Sequence, residues 1–129
     1  MKSLETTIKR VALINDMSCF GKCSLTVAVP IISAFGCETV PLPTALLSTH
    51  TGEFEGYTKL DLTDEMEKII AHWKAMNLNF DCIYTGYFCS ERQIDLTIDF
   101  IKRFKTENTL LIVDPVMGDN GSLYDGFSP

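Results

Sequence analysis

The sequence has no long apolar segment, no basic cluster and no apolar signal core. Its apolar runs are far shorter than the ~20 residues that a membrane helix needs, so we expect no membrane partner. The formal net charge is −6 without a run of Lys or Arg, which argues against a nucleic-acid partner. Residues 1–5 are not apolar, so we expect a cytoplasmic protein whose five cysteines are reduced.

Three common ligand motifs are also missing. Gly21-Lys22 is not part of a P-loop, because that motif needs glycine where Asp16 stands and Ser or Thr where Cys23 stands. No G-x-G-x-x-G follows the first apolar run, so a dinucleotide fingerprint is absent. Cys19 and Cys23 have no second ligand pair nearby, which argues against a zinc site.

The 129 residues are enough for one domain and contain alternating strand and helix patterns. Strands are predicted at 11–14, 38–42, 82–85 and 109–113, and helices at 23–35, at 63–76 and after a Ser90/Gln93 capping box. In the third helix, the apolar residues at helical spacing are Ile94, Ile98, Ile101 and Phe104. The first and last strands are continuously apolar, as in strands covered on both faces. We therefore expect an α/β layer fold with a mostly parallel sheet.

Polar residues and glycines follow each predicted strand. They are Asn15, Asp16 and Ser18; then Thr44, Ser48, His50 and Thr51; then Gly86 and Tyr87; and finally Asp114, Gly118 and Asp119. Ligands of open α/β sheets bind at the carboxyl ends of the strands, so the sequence predicts a site at this edge. For any single residue, an ordinary polar loop is an equally good interpretation.

The segment from Asp114 to Asp119 is the strongest local signal. Two carboxylates five residues apart follow a buried strand through a turn that contains Pro115 and Gly118. Such a pair can hold Mg²⁺ and its waters beside a nucleotide phosphate. By spacing alone, a turn in which an aspartate caps the backbone fits equally well.

The chain ends on Ser128-Pro129, a combination typical of a helix start. A helix that begins where the sequence stops suggests that the given chain is part of a longer protein. We therefore expect further elements after Pro129.

Four segments together resemble the pyridoxal kinases of the ribokinase superfamily. They are Leu13-Ile14-Asn15-Asp16, Pro41 to Thr44 with Ser48-Thr49-His50-Thr51, Thr85-Gly86-Tyr87, and Val113 to Asp119. The resemblance covers nearly the whole chain. It implies a three-layer ribokinase-like fold with a mostly parallel central sheet, of which residues 1–129 are the N-terminal half of a single kinase domain.

The resemblance implies ATP-dependent phosphorylation of the 5′-hydroxyl of pyridoxal, pyridoxine or pyridoxamine. ATP and Mg²⁺ are the implied cofactors, with a monovalent cation such as K⁺ as a further candidate, and the full-length protein would be a homodimer. The implied vitamin-binding residues are Asp16, Thr44, His50 and Tyr87, and those at the cation and the ATP phosphates are Asp114 and Asp119. Asp16 stands where relatives often have serine, and Pro43 where asparagine is usual.

The family's catalytic base belongs to a C-terminal G-x-G-D motif, which this sequence does not contain. The resemblance therefore implies that this chain alone is inactive. Two alternatives stay open. One is a hydroxymethylpyrimidine kinase, which performs the same chemistry on a thiamin precursor. The other is a non-catalytic, flavodoxin-like binding module.

Overall fold

The structure is a computed structural model that describes residues 7–124 and 127–128. Its elements are β1 (Arg10–Phe20), α1 (Leu25–Ala34), β2 (Glu38–Thr49), β3 (Lys59–Asp61), α2 (Thr63–Ala75), β4 (Cys82–Thr85), α3 (Glu91–Phe104), β5 (Leu110–Val113), β6 (Gly118–Asp119) and β7 (Ser122–Leu123). Within the described residues, no helix is both long and apolar enough to cross a membrane. Residues 1–5 and Pro129, on which two of the expectations above depend, lie outside the described part.

The five larger strands form one sheet in the order β3-β2-β1-β4-β5. Only β3 is antiparallel to its neighbour. Along β1, Val11 and Leu13 pack against Leu25 of α1, and the intervening Ala12 and Ile14 join the larger cluster with α2 and α3. One helix thus covers one face of the sheet and two cover the other. The predicted three-layer α/β fold with a mostly parallel sheet is confirmed, and burial on both faces explains the continuous apolar run of β1. The same expectation is wrong for β5, an edge strand on which Leu110 and Val113 are 59% and 60% exposed.

The buried face of α3 differs from the apolar spacing in the sequence. Ile94 and Ile98 are 42% and 43% exposed, and Ile101 is half-buried. The residues that α3 buries are Gln93, Thr97, Phe100 and Phe104. These four share one helical face, which the rings of Phe100 and Phe104 fix against the core.

Strands β1 and β2 are longer than predicted and continue beyond the end of β4. The last β1–β4 pair is Ile14 with Thr85, whereas β1 and β2 remain paired as far as Phe20 and Thr49. The β1–β2 register shifts after Asn15, so that two steps along β1 match three along β2. Such a bulge twists the strands locally and re-aims side chains. The β1–β2 extension, from the bulge to Phe20 and Thr49, therefore projects beyond the carboxyl end of β4.

Candidate active site

A cavity of about 570 Å³ lies at the carboxyl ends of the parallel strands. After β2, the chain passes over β1 to form β4 on its other side, so β1 and β4 flank the point at which the strand order reverses. Ligands of open α/β sheets bind at such a switch point. The polar residues that line the cavity are Asn15, Asp16, Ser18, Cys23, Ser24, His50, Thr51, Glu53, Tyr84, Tyr87, Asp114, Asp119, Asn120 and Tyr124.

Asn15 ties the ends of β1 and β4 together. Its side-chain Oδ1 accepts hydrogen bonds from the backbone N–H groups of Asp16 and Tyr87, both at 2.9 Å. Gly86 allows this contact, because a Cβ there would lie 2.3 Å from Asn15 Nδ2. Thr44 Oγ1 donates to the carbonyl oxygen of Tyr87 at 2.9 Å. The backbone of Tyr87 is therefore fixed on both sides.

The Tyr87 phenol is held by Lys59 of β3. Lys59 Nζ donates to the phenol oxygen at 2.8 Å and lies 5.3 Å from the ring centroid, so the ammonium lies off the hydroxyl edge of the ring. Burial raises the pKa of Tyr87, and the hydrogen bond from Lys59 offsets part of that rise. Burial acts to lower the pKa of Lys59, but its contacts with Tyr87 and Cys89 outweigh burial, so the pKa is raised. Tyr87 thus forms a fixed aromatic wall.

Asp16 lies at the bulge and is only 5% exposed. Its Oδ2 accepts a hydrogen bond from Ser18 Oγ at 2.7 Å, and its Oδ1 accepts one from Ser24 Oγ at 2.5 Å. Ser24 precedes α1 but does not cap the helix with its side chain. The serine hydroxyl is instead committed to the carboxylate.

His50 closes another side of the cavity. Its Nδ1 accepts a hydrogen bond from the backbone N–H of Gly52 at 3.3 Å, and its ring packs edge-on against Phe54 at 4.9 Å. Gly21 lies against the same ring, since a Cβ on Gly21 would be 2.4 Å from His50 Cδ2. Gly21 also has a φ of +107°, in the region that favours glycine. The β1–α1 turn and the loop after β2 are thus fitted to each other.

Asp114 and Asp119 lie at the exposed side of the cavity. Asp114 follows β5, and its N–H donates to the carbonyl oxygen of Thr85 at 3.1 Å. Asp119 belongs to the β6–β7 hairpin, where its Oδ1 accepts the N–H of Asn120 at 2.8 Å. No cluster of three or more His, Cys, Asp or Glu suited to a metal occurs in residues 7–124 and 127–128. Two exposed carboxylates fit Mg²⁺, which keeps several waters and takes few protein ligands.

Five of the six predicted site residues therefore line one cavity: Asp16, His50, Tyr87, Asp114 and Asp119. The sixth, Thr44, is fully buried and acts through Tyr87. Sequence reasoning missed Lys59 and Ser24 as partners of Tyr87 and Asp16. Lys59 lies on a three-residue strand with no periodic signal, and Ser24 resembles an ordinary helix cap.

The sequence predicted Gln93 only as part of a helix cap, and its contacts in the core were not predicted. Its side chain is completely buried, and its Nε2 donates to the Thr44 carbonyl oxygen at 2.8 Å and to Thr63 Oγ1 at 3.0 Å. Its Oε1 accepts the Cys89 N–H at 2.8 Å. Gln93 thereby joins α3 to β2, to the start of α2 and to the segment that follows Tyr87.

No family model matches the chain, but solved structures and curated proteins do. A structure from Bacteroides thetaiotaomicron, which has the provisional name of a phosphomethylpyrimidine kinase and contains pyridoxal, is 52% identical with a TM-score of 0.91. The alignment covers 95% of this chain and 42% of that one. Pyridoxal kinase from Lactobacillus plantarum is 34% identical with a TM-score of 0.87, covering 95% of this chain and 43% of that one.

Among curated proteins, a pyridoxal kinase of Dictyostelium discoideum is 29% identical over 121 residues. The match includes 89% of this chain and 39% of the relative. The chain spans about two fifths of the length of the curated relatives that it matches.

Proposed function

We propose that this chain, a relative of the pyridoxal kinases of the ribokinase-like superfamily, forms the substrate-binding part of an ATP-dependent kinase for B6 vitamers. The phosphate acceptor would be the vitamer's 5′-hydroxyl. The observation that carries the proposal is the single cavity in which Asp16, His50 and Tyr87 lie with Asp114 and Asp119. Phosphoryl transfer depends on positioning and charge stabilisation, so both kinds of group must meet in one place.

The inner part of the cavity suits a small polar aromatic ring. The Tyr87 ring is held at its phenol and at its backbone, which makes it a preformed stacking surface. Asp16 and His50 provide fixed polar groups around that surface. A few placed polar groups in a largely preformed pocket are typical of a small-molecule site.

The outer part suits a nucleotide phosphate only together with a cation. Among the described residues that line the cavity there is no Lys or Arg, whereas Asp114 and Asp119 both line it. We propose that these two carboxylates hold Mg²⁺ through its waters. The ion would neutralise charge on the transferring phosphoryl group.

This chain's residues would bind and orient the substrate rather than remove its proton. The general base is expected in the G-x-G-D motif of relatives, which this sequence does not contain. The chain matches only about two fifths of each curated relative, so we propose that residues 1–129 are the N-terminal part of one kinase domain. The homodimer and the cytoplasmic location stay predictions.

A hydroxymethylpyrimidine kinase is the second candidate, because the Bacteroides structure is named after a related activity. That same structure contains pyridoxal, which supports the B6 assignment for a 52% identical relative. Measuring ADP release by the full-length protein with each B6 vitamer tests the proposal. We expect turnover with at least one of them, and no turnover with any would contradict it.

The proposed role of Asp119 in holding Mg²⁺ beside the nucleotide phosphates is tested by Asp119→Asn in the full-length protein. Loss of one preorganised electrostatic group costs about 2–4 kcal/mol of transition-state stabilisation, which is a decrease of roughly 30- to 1,000-fold in kcat/KM. Stability should change little, because Asp119 is exposed in a hairpin. Asp95→Asn, on the exposed side of α3, is the matched control. Normal turnover of Asp119→Asn at limiting Mg²⁺ would refute the assigned role.

A further inference from the structure

Glu53 is a carboxylate that lines the cavity and has no partner of its own. It lies in the exposed loop that follows β2. Within residues 7–124 and 127–128, none of the ion pairs includes Glu53, and no side chain or N–H group donates a hydrogen bond to it. A solvated carboxylate is ordinary on a protein surface, but this one borders a site proposed to take a small polar ligand.

The chain is anchored at the cavity on both sides of Glu53. On one side, the N–H of Gly52 donates to His50 Nδ1 at 3.3 Å. On the other side, the ring of Phe54 packs edge-on against His50 at 4.9 Å and against Phe20 at 5.6 Å. Because both neighbours of Glu53 contact His50, the loop carries the Glu53 carboxylate at the cavity.

The other three carboxylates of the cavity are committed elsewhere. Asp16 accepts a hydrogen bond from a serine hydroxyl at each of its oxygens. Asp114 and Asp119 are the two residues proposed to hold Mg²⁺, whose charge would offset theirs. Among the described residues that line the cavity there is no Lys or Arg. The charge of Glu53 is therefore available to a cationic group on the ligand.

The cavity is small enough for Glu53 to act on a charge bound anywhere inside it. A sphere of 570 Å³ is about 10 Å across, which matches the Debye length of about 10 Å at 0.1 M salt. Salt therefore leaves a substantial part of the interaction between Glu53 and a bound ammonium group, and no direct contact between them is required. The effect of a solvated carboxylate is modest, in the range measured for exposed ion pairs.

We propose that Glu53 is a specificity-determining residue that favours the vitamer with a cationic 4′ substituent, pyridoxamine. The proposal deepens the proposed function and rests on it. The 4′-aminomethyl group of pyridoxamine is an ammonium near neutral pH, whereas the 4′-hydroxymethyl group of pyridoxine and the aldehyde of pyridoxal are uncharged. Pyridoxamine and pyridoxine are nearly equal in shape, so a difference between them reports their charge. Only the charged group gains from Glu53, which is the basis of the discrimination.

The test is a competition between these two vitamers in one reaction. The full-length protein would receive MgATP with equal concentrations of pyridoxamine and pyridoxine at low salt, and the phosphorylated products would be separated at low conversion. Their ratio equals the ratio of the two kcat/KM values and does not depend on the amount of active protein. We expect phosphorylated pyridoxamine to exceed phosphorylated pyridoxine, and the excess to shrink as salt screens the interaction. A product ratio that favours pyridoxine, or one that salt does not change, would overturn the inference.

Two substitutions assign the preference to Glu53. Glu53→Gln should lower the ratio of pyridoxamine to pyridoxine products about two- to fivefold, the range of an exposed ion pair, and Glu53→Lys should lower it further by a similar factor. Glu53→Gln should also keep kcat/KM for pyridoxine within about twofold of wild type, which general damage to the site would not do.

Glu55 provides the matched control, because it is exposed in the same loop but does not line the cavity. Glu55→Gln and Glu55→Lys should keep the product ratio near the wild-type value. A ratio that is unchanged in both Glu53 variants, or that the Glu55 variants lower equally, would overturn the inference.

The proposed function fails separately. If the wild-type protein phosphorylates B6 vitamers but shows no preference for pyridoxamine, only the role of Glu53 is wrong. If it phosphorylates no B6 vitamer, the proposed function and this inference fail together.

Discussion

Gly86→Ala should damage the site through Asn15 rather than through backbone strain. The new Cβ would lie 2.3 Å from Asn15 Nδ2 and 2.5 Å from its Cγ, so the Asn15 side chain must move. That movement would break the hydrogen bonds that Asn15 Oδ1 accepts from the N–H groups of Asp16 and Tyr87. Two residues proposed to bind the vitamer would lose their shared anchor.

The magnitude follows from these contacts. Inserting a methyl group into a packed site costs about 1–3 kcal/mol. Losing two hydrogen bonds at about 1 kcal/mol each brings the total to roughly 3–5 kcal/mol. A loss of this size is a large part of the ~5–15 kcal/mol by which domains are stable. Affinity for the vitamer should fall as well, because Asp16 and Tyr87 would shift.

Urea unfolding and vitamer titration of the full-length protein measure both effects. Gly52→Ala is the matched control, because its Cβ would meet His50 Nδ1 at 3.6 Å, an ordinary contact. It should change stability by less than about 1 kcal/mol. A Gly86→Ala protein as stable as Gly52→Ala would refute the reasoning.

A double-mutant cycle isolates the clash. Asn15→Ala alone should lose the two hydrogen bonds, but it also removes the atoms that the new Cβ would strike. Adding Gly86→Ala to it should therefore cost little more, so that the two changes are strongly non-additive. Additive free energies would show that Gly86 is required for some other reason.

Three further perturbations test other parts of the account. Gln93→Leu leaves the Thr44 carbonyl and the Cys89 N–H without their buried partner, and should lower the free energy of unfolding by about 2–4 kcal/mol; a loss below 1 kcal/mol would contradict the joining role. Lys59→Met removes the hydrogen bond that offsets burial, so the pKa of Tyr87 should rise further in an ultraviolet titration; a fall would contradict the assignment. The backbone N–H of Arg10, and after it the Lys9 side chain, donate hydrogen bonds to Asp81 and hold its pKa below the usual 3.8. The ionised Asp81 therefore stabilises the folded state above about pH 4, and this contribution is lost as the pH falls through the lowered pKa. Asp81→Asn should therefore lose stability less steeply on acidification, and an unchanged acid limb would exclude this contribution.

The sequence predicted the layered fold well because periodicity and capping are local. The apolar runs at 11–14 and 109–113 correspond to β1 and β5, and Ser90 caps α3 as predicted, with its Oγ accepting the Gln93 N–H. The other half of the predicted capping box differs, because Gln93 Oε1 accepts the N–H of Cys89 rather than that of Ser90. These features need only a few neighbouring residues to specify them. Their order along the chain then limits the topology, since parallel strands require crossover connections.

The length of β2 could not be predicted because two prolines suggest an end. Pro41 and Pro43 are two residues apart, so their nitrogens point to the same side of the strand. β3 pairs with Ala45 to Leu47, and among residues 7–124 and 127–128 no strand pairs with the earlier part of β2 on that side. A missing N–H is tolerated at such an edge. That β2 continues through both prolines therefore becomes evident only from its pairing with β1 and β3 in the folded structure.

The partners of the site residues also depend on long-range contacts. Gln93 looks like a capping residue, yet its amide spans 49 residues of sequence to reach Thr44. Asp16 and Tyr87 were predictable as candidates from their positions after strands. Their anchors, Ser24 and Lys59, became visible only once the β1–β2 extension and β3 were in place.

The most direct test of the central claim is a competition for labelled phosphate. The full-length protein would be given MgATP labelled at the γ-phosphate with equal concentrations of pyridoxine and 4-amino-5-hydroxymethyl-2-methylpyrimidine, and the products would be separated. The account predicts that most of the label appears on the 5′-hydroxyl of pyridoxine. Label on the pyrimidine alone would contradict it.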